Sequence, residues 1–368
     1  MNLFFCDVNM GLWRIDMIKI KLAILDNDKN YLSRISSVFN NKLADKVELY
    51  TFTDKKIAMN VIDSKRIDVF IASEEFDIDT LSLPDECAFA YLTQAKEIDT
   101  YKDERIIAKY QKVDLIYKEA LSLFSEKATK ITGVKFDNSD TEIITFFSCS
   151  GGTGGSTMAA ACAMNLSKQS NAIYLNLDPL GDVSCFFTGE GQFDISDVIY
   201  AIKSKRSNLT LKLESTVKKD VANVFFYDSS KSAFDMTELD IDDIKALING
   251  LKIAGSYKYI IIDAQFALDE KIIEIMDFSN RIIFVSDGSK ISNSKWIRLH
   301  GALKIVEERK NKKILSKISM IYNKFSDKTS TILQDETVQI LGGVPRYKNG
   351  DIKQIITEIS NMKIFDIF

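Results

Sequence analysis

Four of the chain's 16 glycines fall within five residues, in Ser150-Gly151-Gly152-Thr153-Gly154-Gly155-Ser156-Thr157. The apolar run Thr145-Phe146-Phe147 precedes this cluster, and the small residues Met158-Ala159-Ala160-Ala161-Cys162-Ala163 follow it. Strand, glycine loop and helix in that order aim backbone N–H groups and a helix N-terminus at phosphate oxygens. Glycine permits the positive φ angles such a loop needs and lets the backbone approach its ligand. A mere flexible turn is the poorer reading, because the chain holds only 16 glycines and 3 prolines. Carboxylates recur after other apolar runs, at Asp178 in Asn176-Leu177-Asp178-Pro179 and at Asp263 closing Tyr257-Lys258-Tyr259-Ile260-Ile261-Ile262-Asp263. The single histidine, His300, excludes multi-His metal sites and disfavours Ser-His-Asp catalysis; among Arg298, Leu299 and Lys304 it reads as a surface or packing residue.

The elements that must position these residues alternate in type. In the first half, strands are expected at 18–25, 47–52, 68–72, 88–92 and 105–108, with helices at 31–40, 55–63 and 113–124. In the second half, strands are expected at 143–147, 172–177, 224–227, 259–262, 281–285 and 318–322, with helices at 156–168, 240–254, 269–278, 293–311 and 351–360. Short apolar strands separated by amphipathic helices imply parallel sheets covered on both faces. The fold class is therefore α/β, with two doubly wound parallel-sheet domains, at 17–126 and 141–368. A polar linker spans 127–140, and residues 1–16 form a leader that is either an extra strand or a mis-assigned start. The final segment, Asn361 to Phe368, carries too few cations for an interfacial helix and is expected to pack on its domain.

A chain of 368 residues, 27% charged and 46% hydrophobic, has ordinary globular proportions. A formal charge of −4 argues against a broad basic face for nucleic acid. Five cysteines without a CxxC pair disfavour disulfide scaffolds and zinc fingers and suit a reducing cytoplasm. No signal peptide is expected at the N-terminus, and no run reaches the ~18 uninterrupted apolar residues of a membrane span.

Residues 141–368 resemble the MinD/ParA-like P-loop ATPases, whose loop reads K-G-G-x-G-K-[ST]-[ST]. The resemblance implies that Gly151, Gly152, Thr153, Gly154, Gly155, Ser156 and Thr157 bind ATP. It places Ser156 as the Mg²⁺-binding hydroxyl, Asp263 near the metal's water shell, and Asp178 at the water-positioning carboxylate beside the metal. Tyr322-Asn323-Lys324 is similar to the family's adenine-reading segment, and Val344-Pro345-Arg346 to the segment beside the base, implying that Asn323, Pro345 and Arg346 bind nucleotide. This chain departs from the family at both loop lysines, which are Ser150 and Gly155 here, and at Asn176, where the family has a carboxylate. Loss of such cations costs on the order of 10³-fold or more in rate. The residues therefore fit binding better than turnover.

The branch that tolerates loss of the second lysine is CpaE/TadZ-like, which joins an atypical receiver to an atypical ATPase domain. Leu180-Gly181-Asp182 also resembles that branch. Residues 17–126 resemble a response-regulator receiver: Asp26-Asn27-Asp28 supplies acids after the first strand, and Thr93 and Lys109 match two further positions. The phosphoacceptor position is Ser73, with Glu74 one residue out of register, so a docking domain is expected rather than a phosphorylated switch. The resemblance implies a cytoplasmic homodimer, polar or peripheral at the inner face of the membrane, that meets type IV (Tad/Flp) pilus-assembly proteins through its receiver-like domain. Two rivals remain: a slow MinD/ParA-type ATPase borrowing Lys290 or Lys324, and a DNA-partitioning ATPase, which the charge does not encourage.

Overall fold

The structure is a computed structural model that describes residues 19–94, 100–128, 140–254, 257–334 and 337–368. The leader 1–16 and residues 129–139 of the expected linker lie outside the described residues. The chain divides into two compact units, 1–124 and 125–368.

The first unit runs β1 (Ile20–Leu25), α1 (Lys29–Lys42), β2 (Val47–Phe52), α2 (Lys55–Lys65), β3 (Val69–Ser73), β4 (Ala88–Thr93), β5 (Thr100–Tyr101), β6 (Glu104–Ala108) and α3 (Val113–Lys127). Its sheet has the order β2-β1-β3-β4-β6-β5. All pairings are parallel except β5 with β6, which form an antiparallel hairpin. Every residue of β3 and β4 is buried, as expected of parallel strands covered on both faces. Asp28 caps α1 by accepting the N–H bonds of Asn30 and Tyr31, and Asp54 caps α2 from Ile57 N–H; both carboxylates satisfy donors that a helix start leaves orphaned. The stretch between β3 and β4 holds only a short 3₁₀ turn, Thr80–Ser82.

The second unit continues β7 (Glu142–Ser148), α4 (Gly155–Leu166), β8 (Ala172–Asn176), α5 (Ile195–Ser204), α6 (Leu209–Thr216), β9 (Lys218–Lys219), β10 (Phe225–Phe226), α7 (Ala233–Thr237), α8 (Ile241–Ala254), β11 (Tyr259–Asp263), α9 (Glu270–Phe278), β12 (Arg281–Ser286), α10 (Lys290–Lys310), β13 (Ile318–Phe325), β14 (Gln339–Pro345) and α11 (Ile352–Ile359). The sheet order is β14-β13-β12-β7-β11-β8-β10-β9, parallel except for β9 against β10. The glycine loop leaves β7, which lies between β12 and β11. The next strand in sequence, β8, lies beyond β11 on one side, while β12 borders β7 on the other; such a reversal opens a crevice at the strands' carboxyl ends.

Helix α4 explains why the residues after the loop are small. Met158 through Ala163 are all buried, with the helix against β7, β8 and β11 on one side and α11 on the other. Alanine and cysteine let backbone layers approach where larger side chains would force them apart. The C-terminal segment packs on the same cluster, with Phe365 1% exposed. His300 is buried and stacks on Trp296 at 5.6 Å between ring centroids, a packing role.

Candidate phosphate-loop site

The carboxyl ends of β7, β8, β11, β12 and β13 bring together the glycine loop, Asp178, Asp263, Asp287 and Asn323. Gly154 caps α4 with a left-handed backbone (φ +91°), and a Cβ there would lie 2.3 Å from Asn323 Nδ2. Only glycine meets both demands. The N–H groups of Ser156 and Thr157 lie in the first turn of α4, where no preceding helical carbonyl can accept them. Strand, glycine loop and helix follow one another in the order the spacing predicts.

The loop is tied at several points. Gly155 N–H donates to Ser148 Oγ at 3.2 Å. Thr153 Oγ1 donates to the Ser150 and Val285 carbonyls, both at 3.0 Å. Ser150 Oγ lies 2.6 Å from Ser292 Oγ, which donates onward to Asp287 Oδ1 at 2.6 Å. Burial opposes ionisation of Asp287, but hydrogen bonds from Ser292 and Ser289 hold its carboxyl below the ordinary range. Asn323 Nδ2 donates to the Thr153 carbonyl at 2.8 Å, and Lys324 Nζ to the Gly152 carbonyl at 2.7 Å. Asn323 is buried, and its amide is engaged by the loop backbone.

Asp263, 5% exposed, accepts a hydrogen bond from Tyr174 Oη at 2.7 Å and another from the Ser156 hydroxyl. Burial pushes its carboxyl up to about 6 against those two bonds, and the nearby Asp178 charge adds to the rise. A buried carboxylate touching a loop hydroxyl, with a second acid close by and no protein cation on it, is a fit for a divalent cation such as Mg²⁺. Asp178 sits in a tight turn: its N–H donates to Asn176 Oδ1 at 2.8 Å, and its Oδ1 accepts Leu180 N–H at 3.0 Å. Asn176, where the resemblance expects a carboxylate, thus serves the turn. Burial drives the Cys149 thiol up to about 12, so it is no nucleophile at neutral pH.

The register of β13 with β14 sets Pro345 opposite Phe325, beside the Asn323–Lys324 pair, with the exposed Arg346 just beyond. Lys290 is exposed at the start of α10. Sequence reasoning missed the Ser148, Ser292 and Asp287 tethers; a hydroxyl on a neighbouring strand end carries no spacing signal. Among the described residues, no group of three or more His, Cys, Asp or Glu side chains is arranged to hold a metal ion.

In the first unit, Asp26, Ser73, Thr93 and Lys109 stand at the carboxyl ends of β1, β3, β4 and β6. Lys109 Nζ lies 2.9 Å from Asp26 Oδ1 and 2.8 Å from Oδ2, with both side chains buried. The ammonium also sits over the Tyr31 ring at 4.7 Å. Asp28 N–H donates to Asp26 Oδ1 at 2.7 Å, while Asp26 Oδ2 faces the Lys109 ammonium as an ion pair without a hydrogen bond. Ser73 is buried, and Glu74 is exposed.

The two units are two α/β domains, each built on a sheet of mainly parallel strands. Residues 18–125 match the family "TadZ-like, receiver domain". Solved structures similar to part of the chain include a ParA family ATPase from Chlorobium tepidum TLS, 21% identical, covering 60% of this chain and 98% of that one at a TM-score of 0.48. Another is the septum site-determining protein MinD complexed with Mg-ADP from Pyrococcus horikoshii OT3, 17% identical, covering 60% and 94% at 0.45. A third is a plasmid partition protein from Borrelia burgdorferi B31 bound to AMPPNP, 18% identical, covering 62% and 95% at 0.39. No curated protein matches the chain.

Proposed function

We propose that the second domain binds ATP with Mg²⁺ on Gly151–Thr157 and hydrolyses it slowly or not at all. The observation that carries this reading is the combination of an ordered glycine loop with no ammonium of its own and an intact Ser156–Asp263 pair. Ser156, Asp263 and Asp178 would hold Mg²⁺, which supplies charge neutralisation between the phosphates. Loop N–H groups and the start of α4 would hold the phosphate oxygens and Pro345 and Arg346 would stand at the nucleoside end, while Asn323 would act through its bond to the Thr153 carbonyl. Asp178 is the carboxylate available to orient a water.

The protein then works as a nucleotide-dependent scaffold, a homodimer that localises type IV (Tad/Flp) pilus assembly. The match of residues 18–125 to TadZ-like receivers supports that setting. The receiver-like domain, its acceptor replaced by Ser73, docks pilus-assembly proteins. Placement is cytoplasmic, polar or peripheral at the membrane's inner face; among the described residues no helix is long and apolar enough to cross a membrane.

Titration with a fluorescent ATP analogue in Mg²⁺ tests the reading. Saturation in the micromolar range is expected, roughly −8 kcal/mol. Gly154→Val, which needs a left-handed β-branched residue pressed on Asn323, abolishes it. Binding that survives this change moves the site elsewhere.

A further inference from the structure

Lys324 has a left-handed backbone, φ +59°. The other non-glycine residues with positive φ cap helices (Arg66, Lys205, Asn311) or stand in turns (Lys102, Asp103, Asn223); among the described residues Lys324 alone lies within a strand. The β13–β14 register breaks there: Asn323 pairs with Val344 and Phe325 with Pro345, leaving Lys324 as the extra residue of a β-bulge. Bulges re-aim side chains, and a strained backbone persists only where its surroundings hold it.

The re-aiming has a specific result. Consecutive residues of a regular strand point to opposite faces. Here both Asn323 and Lys324 reach one loop and hold two successive carbonyls, those of Thr153 and Gly152. In a planar trans peptide the C=O and the following N–H point in opposite directions. Pinning the Gly152 carbonyl therefore turns Thr153 N–H away from β13, where it closes back on the Ser150 carbonyl at 3.4 Å. Pinning the Thr153 carbonyl likewise turns Gly154 N–H away from Asn323.

We propose that Lys324, with Asn323, is a positioning residue that presets the phosphate cradle from outside the loop. The proposal rests on the nucleotide-binding reading above. The Lys324 ammonium gives one of its donors to the Gly152 carbonyl, and through that bond Lys324 acts on phosphate by setting loop geometry.

Calorimetric titration of the full chain with Mg-ATP and with Mg-tripolyphosphate separates the possibilities. Lys324→Met is expected to weaken both ligands by about tenfold, and Lys324→Arg to restore most of the loss. Lys324→Gly relieves the left-handed backbone, so it should keep the melting temperature within about 2 °C while losing affinity like Lys324→Met. Unchanged tripolyphosphate binding by Lys324→Met overturns the proposal. So does a loss confined to ATP, which would mean direct contact with the nucleoside. A large fall in melting temperature for Lys324→Gly, with affinity kept, would assign the clamp to fold stability alone. Wild-type protein that binds neither ligand defeats the nucleotide reading itself.

Discussion

The Ser148 hydroxyl lies 2.4 Å from where a Cβ on Gly155 would stand, and it accepts the Gly155 N–H. The space that begins a lysine side chain in the resembled loop is therefore filled by a neighbouring serine. Absence of the lysine is built into the packing as well as the sequence.

Turnover should follow that packing. Wild-type hydrolysis is expected well below the ~1 s⁻¹ low end of typical enzymes. Gly155→Lys alone must expel the Ser148 hydroxyl, whereas in Ser148→Ala/Gly155→Lys the nearest atoms are the backbone N and Cβ of position 148, at an ordinary 3.5 and 3.6 Å. A steady-state phosphate-release assay should show more activity in the double variant than in the single one. Wild-type turnover in the typical range, unaffected by Asp178→Ala, would sink the scaffold account.

The Asp263 carboxyl yields a pH dependence. Its folded value, raised to about 6 mainly by burial, lies above the ordinary 3.8. The folded state thus favours the protonated form, and its stability falls as pH rises from about 4 through 6. The loss is at most about 3 kcal/mol once ionisation is complete. Asp263→Asn should raise the melting temperature of the nucleotide-free protein at pH 8, change it little at pH 4, and abolish Mg²⁺-dependent ATP binding. Equal shifts at both pH values would remove burial of the charge as the cause.

Breaking the buried Asp26–Lys109 pair strands a carboxylate. Lys109→Met is expected to cost about 3–5 kcal/mol in chemical denaturation, and adding Asp26→Asn to recover part of it. A double variant no more stable than the single one contradicts this.

Small phosphodonors should leave the receiver-like domain unlabelled. Serine at position 73 forms no acyl phosphate, Asp26 is engaged by Lys109 and Asp28 N–H, and Glu74 lies on the exposed side. Mass spectrometry that finds acid-labile phosphate on Asp26 or Glu74 would replace docking with switching.

Legibility in the sequence followed burial. Strands β7, β11 and β12 are apolar runs because both faces are covered, and their bounds are readable to within a residue or two. Strand β14 went unread because Gly342, Gly343 and Pro345 interrupt it and most of it is exposed at the sheet edge. The Lys324 bulge was then invisible too, since a bulge exists only relative to a partner strand. Helix α5 carried a usable signal, the capping pair Asp194 and Asp197, but no glycine or proline marks its C-terminal end and the expectation passed over it. The strand–glycine loop–helix order was legible from the chain alone; the side chains that brace the loop depend on which strand ends are neighbours.

The β5–β6 hairpin turns on Lys102 and Asp103, both left-handed, a backbone pattern that matches the natural twist of paired strands. It closes one edge of the receiver-like sheet with a strand two residues long and a charged tip, on which Lys102 pairs with Asp77 at 2.6 Å. A strand so short offers few N–H and C=O groups of its own for another chain to extend. A sheet edged in this way is guarded against stacking edge to edge into aggregates.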